Sequence, residues 1–244
     1  MAIKLLTLNI EGDRHLSRIH AAIAAHLPDI ACLQEVFEAD CPYLASMGYD
    51  VRYAVSARVP GVGGRSERNW GIAVLSRVPV RRQTITYYAD DPRIQVIQVP
   101  NDARRVLVVT ELEHLGQPYR IATTHFTWSP DGHINDQQKA DFSRLEQVLS
   151  RCSDYVLCGD FNAPRGGEMF ARFTDRLNLC DHLPASVTTT LDARFHRAGA
   201  LELVVDTIFS TKEYRVTDVQ VIEGISDHKG ILAVVERMPG VASS

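Results

Sequence analysis

The chain has 244 residues, 45% of them hydrophobic and 23% charged, with a formal net charge of −4 at pH 7. Those values describe an ordinary soluble globular protein long enough to bury a sizeable core. They exclude a membrane-spanning helix, because no apolar run approaches the roughly 18 residues required. They also exclude a protein that clings to any nucleic acid through a general basic field.

Met1 to Lys4 lead straight into Leu5 without a basic n-region, a long apolar h-region or a small-residue cleavage site, so a cytoplasmic protein is expected. Apolar, β-branched runs bounded by turn residues then recur along the whole chain. The first predicted strand, 3–10, carries Leu6-Thr7-Leu8-Asn9-Ile10 and is followed by a helical stripe over 14–26, with Leu16, Ile19, Ile23 and Leu27 on one face. The next strand, 30–35, ends in Cys32-Leu33-Gln34-Glu35-Val36. A carboxylate closing such an apolar run is costly unless a cation or another partner offsets it. Strands over 50–55, 71–76, 83–88, 94–99, 105–112 and 117–125 follow, the last ending in Thr123-Thr124-His125-Phe126. A helix over 135–151 places Phe142, Leu145, Val148 and Leu149 on one face. The strand 155–158 runs into Gly159-Asp160-Phe161-Asn162-Ala163-Pro164, where the two polar side chains, two residues apart, leave a strand end on the same side. A weaker helix over 167–177 and strands over 203–209, 215–222 and 231–236 complete the series, with Ser226-Asp227-His228 just before the last. Residues 238–244 read as a frayed tail.

Many strands with few helices, and no regular βα alternation, suit two sheets packed face to face with helices covering the outer faces. No Pro-, Gly- or Ser-rich linker divides the chain and no 20–50-residue repeat appears, so one domain over residues 1–244 is expected. Five cysteines (Cys32, Cys41, Cys152, Cys158, Cys180), odd in number and without CxxC spacing, read as reduced thiols.

Local charge departs from the acidic total. Between Arg52 and Arg82 lie seven arginines and a single acid, Glu67, which predicts a phosphate-facing arginine patch. Three segments stand out as candidate substrate loops: 56–70 with Arg68 and Asn69, 127–133 with Trp128, and 192–202 with Arg194, Phe195, His196 and Arg197. A base could stack on Trp128.

The five polar signatures at the ends of apolar runs all bear metal-binding or proton-transfer chemistry. Together they resemble the endonuclease/exonuclease/phosphatase superfamily of metal-dependent phosphoesterases, over nearly the whole chain. The resemblance implies an α/β four-layer sandwich, with two mainly antiparallel sheets face to face and helices outside. It implies Mg²⁺ or Mn²⁺ bound by Glu35, with Asn9 and Asp227, a hard cation that takes few carboxylates and keeps several waters. It implies that Asp160 and Asn162 position or deprotonate an attacking water, and that His228 contacts the scissile phosphate. His125 would hydrogen-bond the phosphate or leaving oxygen. Asp206 is the carboxylate best placed in sequence to keep His228 charged. The chain departs from many relatives at Val204-Val205-Asp206-Thr207 and over 186–191, which lack an aromatic-bearing motif and a tryptophan motif.

The implied reaction is hydrolysis of a phosphodiester by in-line attack of water, on nucleic acid or a processed DNA end. A lipid head group, an inositol phosphate or another small phosphoester is the alternative on the same scaffold. A binding module that has lost catalysis is the alternative of another kind, and every proposed catalytic group is present in the chain.

Overall fold

A computed structural model describes residues 2–61, 66–88 and 93–238. Among the described residues, twelve strands form two six-stranded sheets. The first sheet contains β1 (Ala2–Asn9), β2 (Ile30–Phe37), β3 (Asp50–Val59), β4 (Arg68–Ser76), β11 (Tyr214–Ile222) and β12 (Gly230–Arg237), in the order β11-β12-β1-β2-β4-β3. The second contains β5 (Val80–Tyr87), β6 (Val106–His114), β7 (Gln117–His125), β8 (Val156–Asp160), β9 (Cys180–Asp181) and β10 (Asp206–Ser210), in the order β5-β6-β7-β8-β10-β9. Within each sheet one central pair is parallel, β1 with β2 and β7 with β8, and the other pairings are antiparallel.

Each parallel pair needs a crossover, and a helix supplies it. The first is α1 (Leu16–His26), which buries Ile19, Ala22 and Ile23 and ends at Leu27 in the left-handed conformation. The second is α3 (Asp136–Leu149), opened by Asn135, whose side chain accepts from the Gln138 N–H at 2.8 Å. The short α2 (Cys41–Ala45) lies on the α1 side, and α4 (Glu168–Asp175) buries Met169, Phe170 and Phe173 on the other.

Side-chain alternation divides the apolar residues among three layers. Ile3, Leu5, Ile30, Cys32, Ile121, Val156 and Cys158 point between the sheets, while Leu6, Leu8, Ala31 and Leu33 face α1. Ala122 and Leu157 face α3. Strands buried on both faces therefore read as continuous apolar runs. On the α3 side six phenylalanines interlock, with Phe173 edge-on to Phe126, Phe142 and Phe161 and stacked on Phe209 at 5.6 Å.

The segment 94–99 is not a strand. It makes one isolated bridge, Val96 to Arg58, and then Pro100, which fixes φ and lacks an N–H, opens a short 3-10 turn. The strand expected from 203 starts at Asp206, because Leu203, Val204 and Val205 give their carbonyls to Thr190, Arg165 and Phe161. The loop expected over 56–70 is shorter, since β3 runs to Val59 and β4 starts at Arg68; its residues 62–65 fall outside the described residues, as does the tail from 239. All five cysteines are free thiols. Among the described residues, no helix is long and apolar enough to cross a membrane.

Candidate active site

The carboxyl ends of the two parallel pairs meet across the sandwich, and the polar signatures occupy those ends. Asn9 closes β1, Glu35 lies near the end of β2, His125 closes β7 and Asp160 closes β8. Register explains their convergence. His125 is the Cα partner of Asp160 on one side, and Asp206 is its partner on the other. His228, just before β12, is aligned by an isolated bridge to Leu191.

Asp160 is the hub. It is 1% exposed, and its Oδ2 accepts from Asn9 Nδ2 at 3.0 Å across 151 residues of sequence. His125 Nε2 lies 3.4 Å from the same oxygen and His228 Nε2 lies 3.9 Å from it. Oδ1 accepts from the Asn162 N–H at 2.9 Å. The preceding Gly159, at φ 143°, lets β8 approach β7 closely, since a Cβ there would stand 2.0 Å from the Thr124 carbonyl oxygen. Phe126 and Phe161, next to His125 and Asp160, are fully buried in the outer aromatic cluster and fix both strand ends.

Glu35 sits in a register shift between β2 and β4 with φ 62°, a left-handed conformation that costs a non-glycine residue about 1–3 kcal/mol. Its carbonyl accepts from the Gly12 N–H at 3.0 Å, and its Oε1 accepts from Asn9 Nδ2 at 3.0 Å. Burial, reinforced by Asp160 and Asp227, pushes its carboxyl up to about 7 despite the Asn9 hydrogen bond and the opposing charge of His228. A carboxylate so poorly compensated by the protein, 26% exposed at a strand end, fits a site for a hard divalent cation. Asn9 turns its amide nitrogen to Glu35 and Asp160, while its oxygen accepts from the Glu11 N–H at 3.2 Å. In this arrangement it links two carboxylates instead of offering them a third oxygen. Asp227 is half-buried, and its carboxylate accepts from Ser226 Oγ at 3.1 Å.

His228 Nδ1 lies 2.8 Å from Asp206 Oδ2. Burial opposes charge on the ring, but Asp206, Asp160 and Asp227 outweigh it and hold the imidazole well above its usual range. Asp160, Asp206 and His228 bring potential ligand atoms within 4.8 Å of one another. A protonated imidazole is nevertheless a donor and no ligand, so His228 suits anion stabilisation and Glu35 suits the cation. His125 differs: burial lowers its pKa to about 4, with Arg105 and His228 adding to the effect against Asp160.

The remaining expected residues are engaged elsewhere. Asn162, at φ 48°, donates its amide to the Phe126 carbonyl at 3.0 Å and so joins the β7 and β8 ends. Arg68 donates to Asp13 at 2.6 Å and stacks 3.5 Å above Phe37, and Asn69 donates to Glu38 at 2.7 Å. Arg194 grips Asp192 through Nε and Nη2, at 2.8 and 2.6 Å. Trp128 is 41% exposed, with its backbone N–H and C=O both bound by the Asn101 side chain. The arginine patch expected over 52–82 is dispersed: Arg52 pairs with Asp50, Arg58 with Glu67, Arg68 with Asp13 and Arg81 with Glu113, while Arg65 falls outside the described residues.

Other supporting residues have no motif of their own. Buried Gln138 donates to the Thr127 and Asn162 carbonyls at 2.8 and 3.2 Å, and Thr127 donates to Asp141 at 2.6 Å. Their signal was available: residues 138 and 141 are polar positions on the apolar stripe of α3. Thr190, fully buried within the segment that lacks the tryptophan motif, accepts the Val205 and Asp206 N–H groups and sets the carboxylate behind His228.

Paired sheets with a carboxylate–imidazole cluster at their facing strand ends define a two-sheet α/β sandwich protein. The chain belongs to the Endonuclease/Exonuclease/phosphatase family, whose model matches residues 6–228. Among solved structures, it is similar to a family protein from Leptotrichia buccalis, with 22% identity over 96% of this chain and 100% of that one, TM-score 0.74. It is also similar to the human Nocturnin catalytic domain with bound sulfate anion, with 19% identity over 97% and 95% of the two chains, TM-score 0.72. D. rerio TDP2 complexed with single strand DNA product gives 15% identity over 96% and 99%, TM-score 0.70. At these identities the likeness is one of fold. No curated protein matches the chain by sequence.

Proposed function

We propose that this protein is a divalent-metal-dependent phosphodiesterase that hydrolyses nucleic acid by in-line attack of water. The observation that carries the reading is His228, a buried imidazole kept charged by Asp206 at 2.8 Å and aimed at the Asp160 hub. A phosphodiester adds negative charge to its non-bridging oxygens as attack proceeds, and a fixed, desolvated cation stabilises that change more than the ground state. Asp160 orients the attacking water and accepts its proton, its other lone pairs being held by Asn9 and the Asn162 N–H. His125, neutral near pH 7, donates from Nε2 toward the phosphate or leaving oxygen. Asn162, Gln138 and Thr190 act as positioning residues.

Glu35, with Asp227, would hold Mg²⁺ or Mn²⁺, which supplies Lewis-acid stabilisation of the phosphate and leaving oxygen. Nucleic acid is supported by exposed Trp128, a stacking surface held in place by Asn101, and by the single-stranded DNA product in the TDP2 structure of the same fold.

The deciding assay compares bis-p-nitrophenyl phosphate with p-nitrophenyl phosphate in Mg²⁺, Mn²⁺ and EDTA, with His228→Ala as control. Metal-dependent cleavage that prefers the diester and disappears in the variant is the expected result. Equal rates in EDTA, or a preference for the monoester, would remove the reading.

A further inference from the structure

Two loops beside the hub, and the first turn of α1, carry arginines that the catalytic arrangement leaves unused. The first, 10–15, is bound to the centre at two points: Glu11 N–H donates to Asn9 Oδ1 at 3.2 Å and Gly12 N–H to the Glu35 carbonyl at 3.0 Å. The second, 190–199, is bound to the Asp227–His228 segment, through Asp192 N–H to the Asp227 carbonyl and Lys229 N–H to the Thr190 carbonyl, both at 2.7 Å.

The loops meet at Glu11. One oxygen of its carboxylate faces Arg14 Nε at 3.4 Å and Arg197 Nε at 4.0 Å, and the other faces His15 Nε2 at 3.1 Å. Arg18 donates toward His15 Nδ1 at 3.3 Å and lies 4.4 Å over the Phe195 ring, which also packs against His15 at 5.0 Å. The acids beside the second loop are matched, since Asp192 and Glu223 face Arg194 and Glu223 also holds Lys229, while beyond the first loop Asp13 and Asp40 share Arg68. Arg14 and Arg197 share Glu11 and Arg18 is turned to His15 and Phe195, so among the described residues the three arginines have one carboxylate between them, with side chains as exposed as 57% for Arg14 and 79% for Arg197.

We infer that Arg14, Arg18 and Arg197 form a second phosphate subsite, which takes the backbone phosphate next to the scissile one in a single-stranded nucleic acid. Three features argue for this occupant. Glu11 lies two residues from Asn9, at most about 7 Å of chain, so the subsite begins roughly one backbone repeat from the reacting centre. The excess charge is arginine, whose planar fork matches phosphate oxygens. Phe195 braces Arg18 and has its ring occupied, so this rim contacts the backbone while Trp128 remains the surface for a base. The inference rests on the phosphodiesterase reading for the identity of the neighbouring phosphate, but its test is a binding measurement.

The probe is a fluorescein-labelled, phosphorothioate-linked hexathymidylate, followed by anisotropy in Mg²⁺ across a salt series. The intact protein is compared with Arg14→Gln/Arg197→Gln and with a control of equal charge loss far from the rim, Arg81→Gln/Arg151→Gln. Loss of two phosphate contacts on a single strand is expected to weaken binding about tenfold and to flatten the log–log salt slope by about 1.4. The control stays within about twofold, and Glu11→Gln binds more tightly because it removes the rim's counter-charge. Equal binding by the rim variant, an equal loss in the control, or no binding by the intact protein would each overturn the subsite. So would rim-dependent displacement of the strand by equimolar inositol hexakisphosphate, which would assign the rim to a compact polyphosphate. Rim-dependent binding without cleavage of any diester would leave the subsite standing and remove the proposed reaction. Cleavage of bis-p-nitrophenyl phosphate with rim-independent binding would do the reverse.

Discussion

Two histidines lie within 4 Å of the same carboxylate oxygen, Asp160 Oδ2, yet their surroundings displace the two pKa values in opposite directions. Both are buried, at 12% and 10% side-chain exposure, so desolvation disfavours charge on each. The difference comes from behind the rings. His228 has Asp206 on Nδ1 at 2.8 Å, and that second carboxylate reverses the penalty of burial. His125 has no partner on Nδ1 among the described residues, and Arg105 donates to its backbone carbonyl at 3.3 Å, adding a positive charge beneath it. One oxygen thus faces a fixed cation and a neutral donor. A site assembled this way divides charge stabilisation from hydrogen bonding between two copies of one side chain.

The largest expected effect comes from removing what the two rings share. Asp160→Asn keeps the shape and loses the proposed base, and turnover on a diester is expected to fall about 10³-fold with the fold intact by circular dichroism. Glu35→Gln is expected to fall as far, through loss of the carboxylate proposed to hold the metal. A folded Asp160→Asn that keeps most of its rate would mean that the shared oxygen is not the base. Next in size is Asp206→Asn, expected to lower kcat about 10²-fold. If Asp206 alone separates the two rings, the alkaline limb of the pH–rate profile also moves to lower pH in that variant. An unmoved limb would assign the charge on His228 to Asp160 and Asp227 instead. Smaller again is His125→Gln, about tenfold, the worth of one hydrogen bond.

The same contrast marks how far the sequence could be read. Each strand-end group followed an apolar run that named its strand, and both βα crossovers were visible as helical stripes. The floor of the site was legible because burial makes a lone polar residue expensive, and so conspicuous. The rim was not. Seven arginines in 31 residues looked like a patch, yet Arg68 is taken by Asp13, 55 positions away, and a local count cannot see such a carboxylate. Arg14 and Arg197 meet instead at Glu11, from loops some 180 residues apart in sequence, with Arg18 of α1 against His15 and Phe195. The 94–99 run shows the converse limit: its alternation was suitable for a strand, but only one bridge joins it to Arg58. Arg105 left no signal at all. Its 3% exposure follows from contacts with Pro100, Asn101 and His125 that exist only in the folded chain.

The smallest prediction isolates His125 from the groups around it. Its pKa is about 4 when folded against an ordinary 6.5, so between those values the unfolded chain holds a proton that the folded chain does not. Stability from this group is therefore lost as pH falls from about 6.5 toward about 4. Glu35 acts oppositely in metal-free protein: its carboxyl, raised from 4.5 to about 7, is protonated when folded and ionised when unfolded across that interval. Its contribution is lost as pH rises, so the two slopes oppose each other between about pH 4.5 and 6.5 and conceal each other in the wild type. His125→Gln removes one of them. With EDTA present, its urea midpoint relative to wild type is expected to increase steadily as pH falls from about 6.5 to about 4 and to stay constant above about pH 7. A difference that is flat throughout would mean that His125 titrates near its ordinary value, and the opposition between the two rings would then rest on His228 alone.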